Sequence, residues 1–164
     1  MSSSLKNLSE YTSAKISVPK SIRFGIVVAE WHSEITEKLC EGAIATLLKH
    51  GVKKKNIFRA NVPGSFELPY GAQLLALREK ADALICIGCV IKGETSHADY
   101  ICNAVAHGLI DLSIQYKKPF VFGVLTPDNM QQAKDRAGGK HGNKGVEAAV
   151  TAMRMVMLST KNKK

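Results

Sequence analysis

The stretch from Gly88 to Cys102, GCVIKGETSHADYIC, joins an apolar run to an amphipathic one through a turn carrying Lys92, Glu94, Thr95 and His97. Upstream, Ala81 to Ile91 (ADALICIGCVI) is almost unbroken in apolar character, the pattern of a strand buried on both faces of a parallel sheet. Downstream, Ile101, Ala104, Val105, Gly108, Leu109 and Leu112 recur at helical spacing. Ser96 with Asp99 three residues on resembles a capping box, so Ser96 is the expected N-cap and His97 the first helical residue. An imidazole there stands beside unpaired amides at the positive end of a helix dipole, which favours its neutral, proton-accepting form. Turns of this kind are where α/β proteins place their chemistry.

The rest of the chain repeats the pattern. Ile22 to Ala29 reads as a first strand, and Ser33 as the cap of a helix with Ile35, Leu39, Ala43 and Leu47 on one face, ended by Gly51. Asn56 to Val62 reads as the second strand, and the turn Pro63 to Pro69 (PGSFELP) leads into a helix from Tyr70 to Glu79. Phe120 to Leu125 is the fourth strand. Thr126 and Pro127 suit the N-cap and first position of a short helix reaching Ala137. The glycine-rich loop Gly138 to Gly145 then opens a last helix whose apolar side holds Val146, Ala149, Val150, Met153 and Val156. Such alternation implies a three-layer α/β sandwich, a four-stranded parallel sheet with helices on both faces.

Composition sets the outer bounds. The 164 residues fit one domain, with a polar extension at 1–19 preceding a folded unit at 20–164. Hydrophobic residues make up 45% and charged residues 23%, and no apolar run has the ~20 residues a membrane helix needs. The first 21 residues lack the apolar stretch and cleavage site of a secretory signal, so a cytoplasmic location is expected. A net charge of +9 raises the question of nucleic acid. Its clusters, Lys53 to Lys55 and Lys161 to Lys164, lie in a turn and at the terminus without interleaved aromatics, so they read as solvated surface rather than a nucleic-acid footprint.

Cys86 and Cys89 form a C-x-x-C that, with His97 and Cys102, invites a zinc reading. Residues three apart on a strand point to opposite faces, so these two cannot share a metal. All four cysteines are expected to be reduced and mostly buried. Taken alone, His97 suits a capping or core role as well as a catalytic one. The strand ends make a stronger set: Trp31 after the first, Phe66 and Glu67 after the second, His97 after the third, and Phe122 near the end of the fourth. Ligands bind at the carboxyl edge of an open parallel sheet. Trp31 and Phe122 suit stacking on a flat heteroaromatic ring, and Arg136 and Lys144 suit a phosphate or carboxylate. Each aromatic taken singly is equally consistent with core packing.

Four separated blocks then converge: Trp31 to Thr36 (WHSEIT), Val62 to Pro69 (VPGSFELP), Gly88 to Ile101 (GCVIKGETSHADYI) and Gly123 to Gly145 (GVLTPDNMQQAKDRAGGKHGNKG). In content and order they resemble the 6,7-dimethyl-8-ribityllumazine synthase family, with Trp31-His32 in place of the commoner Phe-Asn. The resemblance spans Ile22 to Met157. It implies a flavodoxin-like fold and a transferase of riboflavin biosynthesis that condenses 5-amino-6-ribitylaminouracil with 3,4-dihydroxy-2-butanone 4-phosphate, with neither metal nor organic cofactor.

The resemblance also implies roles. Trp31 would stack on the pyrimidine; Ser65, Phe66 and Glu67 would hold the ribityl chain and ring; Cys89, Val90 and Ile91 would meet the ring through backbone. Glu94, Thr95 and Arg136 would hold the phosphate, Phe122 would cover the ring from a neighbouring subunit, His97 would shuttle protons, and Lys144 would be a supporting cation. It further implies pentamers, an association with riboflavin synthase, and, with no insertion visible between Gly138 and Gly145, a 60-subunit shell. Two other readings stay open: a non-catalytic flavin-binding or shell-forming relative, which His97 and Arg136 argue against, and a basic polyanion-binding module.

Overall fold

The computed structural model describes residues 16–161. Of the segment 1–19 read as an extension, residues 1–15 lie outside that range. Ile16 and Val18 pack against the core, and the Ile16 N–H donates to Nδ1 of His50 at 3.0 Å.

The four long strands are β1 (Phe24–Ala29), β2 (Ile57–Val62), β3 (Ala83–Cys89) and β4 (Phe120–Leu125). They form one sheet in the order β2-β1-β3-β4. Every pair is parallel, with Phe24 opposite both Ile57 and Ala83, and Leu84 opposite Phe120. The two inner strands, FGIVVA and ALICIGC, are buried throughout, as strands covered on both faces must be. Edge strand β2 is only half-buried over most of its length.

Side chains from β3 alternate between two cores, as the two-residue period requires. Ile85, Ile87 and Cys89 join Ile26, Val28, Leu39 and Met153 under α1 (Ser33–Lys49) and α5 (Lys144–Lys161). Leu84 and Cys86 join Val27, Leu75, Val105 and Leu109 under α2 (Leu68–Arg78) and α3 (His97–Tyr116). Cys86 and Cys89 therefore face opposite ways, as expected, and all four cysteines are free. The result is a three-layer, flavodoxin-like α/β sandwich, and it turns all four strand carboxyl ends to one edge.

Helix termini depart from expectation in an instructive way. Ser33 is not the cap of α1; His32 is, in the left-handed conformation at φ 59° and ψ 46°, with no side-chain cap bond. At α3 Ser96 is the N-cap and His97 the first helical residue, as expected, but the Ser96 hydroxyl makes no capping bond and the box with Asp99 does not form; instead Thr95 Oγ1 accepts from the His97 N–H at 3.4 Å. Thr126 and Pro127 remain in the loop. The short helix α4 (Met130–Asp135) is capped by Asn129, whose side chain accepts from the Gln132 N–H at 3.0 Å. Ala104, expected on the buried face of α3, is exposed. At α4 the cause is plain: Thr126, Asp128 and Asn129 all stand within a few residues of the start, and tertiary packing chooses among them.

The expected glycine-rich loop is instead a small antiparallel hairpin, β5 (Ala137–Gly139) with β6 (Gly142–Asn143). Gly138 and Gly142 take φ of 103° and 78°, values that side chains resist. Beyond the hairpin, α5 crosses α1 at close quarters, and a Cβ on Gly145 would run into the Leu39 carbonyl. Gly145→Ala is therefore expected to lower stability by about 1–3 kcal/mol through forced backbone separation. Gly93, with nothing near its Cβ direction, is the control. Chemical denaturation of the two variants checks this.

Candidate active site

The sheet ladder runs past the ends of the strands and sets the loops of the site. Beyond β1, the Glu30 and Trp31 N–H groups donate to Val62 and Pro63 carbonyls at 2.9 and 3.2 Å, and beyond β3 the Val90 N–H donates to Leu125 O at 2.8 Å. Three separate loops thus inherit the register of a buried sheet.

Between the ends of β1, β2 and β3 and the start of α3 lies a cleft of about 570 Å³. Trp31, Ser65, Phe66, Glu67, Cys89, Val90, Ile91 and His97 all line it, so eight residues read from the sequence as site candidates do converge. Trp31 is 70% exposed and Phe66 57%, which removes core packing as the explanation of either ring. Trp31 meets His32 edge-on, with ring centroids 6.1 Å apart. The left-handed His32 sharply redirects the chain between the indole and α1, at the modest cost such a conformation carries.

The floor of this cleft is a short 3₁₀ turn, Ser65–Glu67. Glu67 fixes it, accepting the Gly64 N–H at 3.0 Å. Ser65 is buried, and among the described residues its hydroxyl has no hydrogen-bond partner. A buried hydroxyl without a partner at a cleft wall carries unmet hydrogen-bonding capacity. Burial pushes the Cys89 thiol up to about 11, so the sulfur is no nucleophile at neutral pH.

A second cleft, about 720 Å³, opens beyond the end of β4 between α4 and the hairpin. Its wall holds Phe122, Arg136 and Lys144 from the sequence reading, joined by Asp135, Lys140 and His141. The Arg136 guanidinium reaches both Glu147 oxygens, at 3.1 and 3.3 Å, and donates to the His141 carbonyl at 3.0 Å. Lys144 Nζ meets the same carboxylate at 3.3 Å. Glu147 is buried, so one carboxylate holds two cations by charge-assisted bonds. Nearby, the Gln131 amide and then Lys140 keep the Asp135 carboxyl below its ordinary value. Three cations against two carboxylates leave this wall positive, as an anion site requires.

No residue lines both clefts. Glu94 and Thr95, expected beside Arg136, are exposed on the turn before α3 and belong to neither wall. Sequence reading passed over Glu147, Asp135 and Lys140. The available signal was Glu147 itself, an acid one turn from Val150 on the apolar stripe of α5. Among the described residues, no three His, Cys, Asp or Glu are grouped to hold a metal, and no helix is long and apolar enough to cross a membrane.

Comparison with known proteins places the chain in a family. The family model for 6,7-dimethyl-8-ribityllumazine synthase matches residues 21–160. A protein of that name from Cytophaga hutchinsonii is 61% identical over 156 residues, covering 95% of this chain and 98% of its own. Namesakes from Parabacteroides distasonis and Porphyromonas gingivalis are 54% and 51% identical, over 97% and 96% of this chain and 99% and 98% of theirs. An aromatic cleft, a cationic cleft and likeness along nearly the whole chain thus lead to one assignment: the chain belongs to the 6,7-dimethyl-8-ribityllumazine synthase family.

Proposed function

We propose that the protein catalyses the condensation for which its family is named, joining 5-amino-6-(D-ribitylamino)uracil to 3,4-dihydroxy-2-butanone 4-phosphate with release of phosphate and water. This is the penultimate step of riboflavin biosynthesis. The observation that carries the reading is the division of labour between two clefts of one chain. One is aromatic, with an unpartnered hydroxyl; the other is cationic. A flat ring with a polyol tail suits the first, and a phosphate suits the second.

In this reading Trp31 and Phe66 face the pyrimidine, Ser65 and Glu67 take up the ribityl chain, and the backbone from Cys89 to Ile91 meets the edge of the ring. Because one chain keeps its two clefts apart, the working site is assembled from two copies. Phe122, Arg136 and Lys144 of one copy complete the aromatic cleft of the next, where Glu94 and Thr95 join them around the phosphate. A head-to-tail interface of this kind closes into a ring, a pentamer here. Twelve pentamers form a 60-subunit shell, which a native mass of sixty chains rather than five establishes. The protein works in the cytoplasm, and association with riboflavin synthase follows the family pattern.

Chemically, one amine of the pyrimidine attacks the ketone, a first water leaves as the imine forms, phosphate is eliminated, and the second amine attacks the remaining carbonyl and closes the ring with loss of a second water. A proton moves at each step, and His97, on the wall of the aromatic cleft, is placed to move several of them. The amine is already a competent nucleophile. Holding two substrates in register supplies much of the acceleration, since effective molarities of ~10⁵ M and above come from orientation alone.

Mixing the protein with both substrates and following the fluorescent product is the direct test; no product would overturn the reading. His97→Ala is expected to slow turnover by roughly 10-fold to 10²-fold without abolishing it, because positioning survives. Arg136→Ala is expected to raise KM for the phosphorylated substrate by about tenfold or more, with the pyrimidine KM little changed, since a charge-assisted donor is lost. Steady-state kinetics in each substrate separates the two effects, and equal shifts in both KM values would make Arg136 structural.

A further inference from the structure

Asn143 lines neither cleft, yet its side chain joins two helices. Its Oδ1 accepts the N–H groups of Gly145 and Val146 at 2.8 and 3.2 Å, while its Nδ2 donates to the Lys38 carbonyl of α1 at 3.0 Å. It thus caps the first turn of α5 and ties that turn to another helix. Two glycines make the room. Gly145 lies against the Leu39 carbonyl, and a Cβ on Gly42 would come within 2.7 Å of both Asn143 side-chain polar atoms.

Between Asn143 and Gly145 stands Lys144, whose N–H donates to the Arg136 carbonyl at 2.9 Å. One turn on is Glu147, which binds the Lys144 ammonium and the Arg136 guanidinium together. The direction of the first turn of α5 therefore sets where both cations point, and the Asn143 amide sets that direction against α1. We propose that Asn143 is a positioning residue for the reaction: it holds Lys144 and Glu147 in register with Arg136 so that the cationic cleft is formed before phosphate arrives. The proposal rests on the reading of that cleft as the phosphate half of the site. A helix cap with no such role would affect folding stability alone, or both substrates alike.

The test is steady-state kinetics on the full chain in both substrates, with Asn143→Ala, Asn143→Asp, Gly42→Ala and the Gly42→Ala/Asn143→Ala double variant. Asn143→Ala is expected to raise KM for the phosphorylated substrate by about tenfold and the pyrimidine KM by less than about twofold. Asn143→Asp keeps an acceptor for the two N–H groups and loses the donor to Lys38, so its KM should fall between wild type and Asn143→Ala. Gly42→Ala touches no residue of either cleft and favours helix α1 intrinsically, yet it displaces the Asn143 amide. The same KM should rise, and the double variant should be no worse than Asn143→Ala, because both changes break one interaction.

An Asn143→Ala protein with both KM values unmoved or equally raised overturns the proposal, as does a Gly42→Ala protein with unchanged KM. Should Asn143→Ala fail to fold, Gly42→Ala and Asn143→Asp must show the split themselves, and its absence in both overturns the proposal equally. Arg136→Ala in the same assay separates the levels of the argument. If it raises the KM for the phosphorylated substrate while the Asn143 and Gly42 variants do not, only the positioning role falls. If it leaves that KM untouched, or the wild-type protein makes no product, the reading of the cleft falls and this inference with it.

Discussion

Parallel pairing of four strands is the constraint from which the rest follows. A parallel strand cannot be reached by a tight hairpin, so each connection must cross the sheet as a helix, and the helices must cover both faces. The inner strands can then be apolar throughout, as β1 and β3 are. All carboxyl ends also emerge at one edge, and there the hydrogen-bond ladder continues into the loops that carry Trp31 and Val90. The aromatic cleft is in this sense an extension of the sheet: its walls are set by the same register that builds the core.

The cationic cleft is built differently. It depends on α4, the short hairpin from Ala137 to Asn143 and the first turn of α5, elements too short to be rigid on their own. Rigidity comes from the close crossing of α5 over α1, which the missing side chains of Gly42 and Gly145 permit, and from one buried carboxylate. Glu147 holds Arg136 and Lys144 at hydrogen-bonding distance. Pairing weakens the charge each cation offers, but the guanidinium and ammonium are fixed in place. On the proposed reading, an arriving phosphate would meet donors already oriented, which lowers the ordering cost of binding.

How much of this was legible beforehand depends on the physical signal. β4 was bounded correctly because an apolar run between Lys118-Pro119 and Thr126-Pro127 has unambiguous ends. The buried faces of α1 and α5 followed from helical periodicity, and Trp31, Phe66 and His97 were visible as polar or aromatic groups just past apolar strands. A cap was misplaced where several cap-forming residues adjoin, from Thr126 to Asn129, and at α1, where the cap His32 makes no side-chain bond that a sequence signal would mark. The hairpin was invisible since glycine-rich turns lack periodicity. Glu147 left a signal, an acid on the apolar stripe of α5, but the contact of Asn143 with Lys38 on α1 was out of reach, because an isolated polar residue in a chain carries no mark of a partner distant in sequence.

The central claim is that each site is shared, with the aromatic half from one chain and the cationic half from its neighbour. The direct measurement uses two inactive proteins, one carrying Trp31→Ala and His97→Ala and the other Phe122→Ala and Arg136→Ala, dissociated and reassembled together. Sharing places two intact halves at some interfaces of the mixed rings, so product formation should return to a fraction of the wild-type rate. If native mass measurement shows mixed rings and no activity returns, each site lies within a single chain and the claim is wrong.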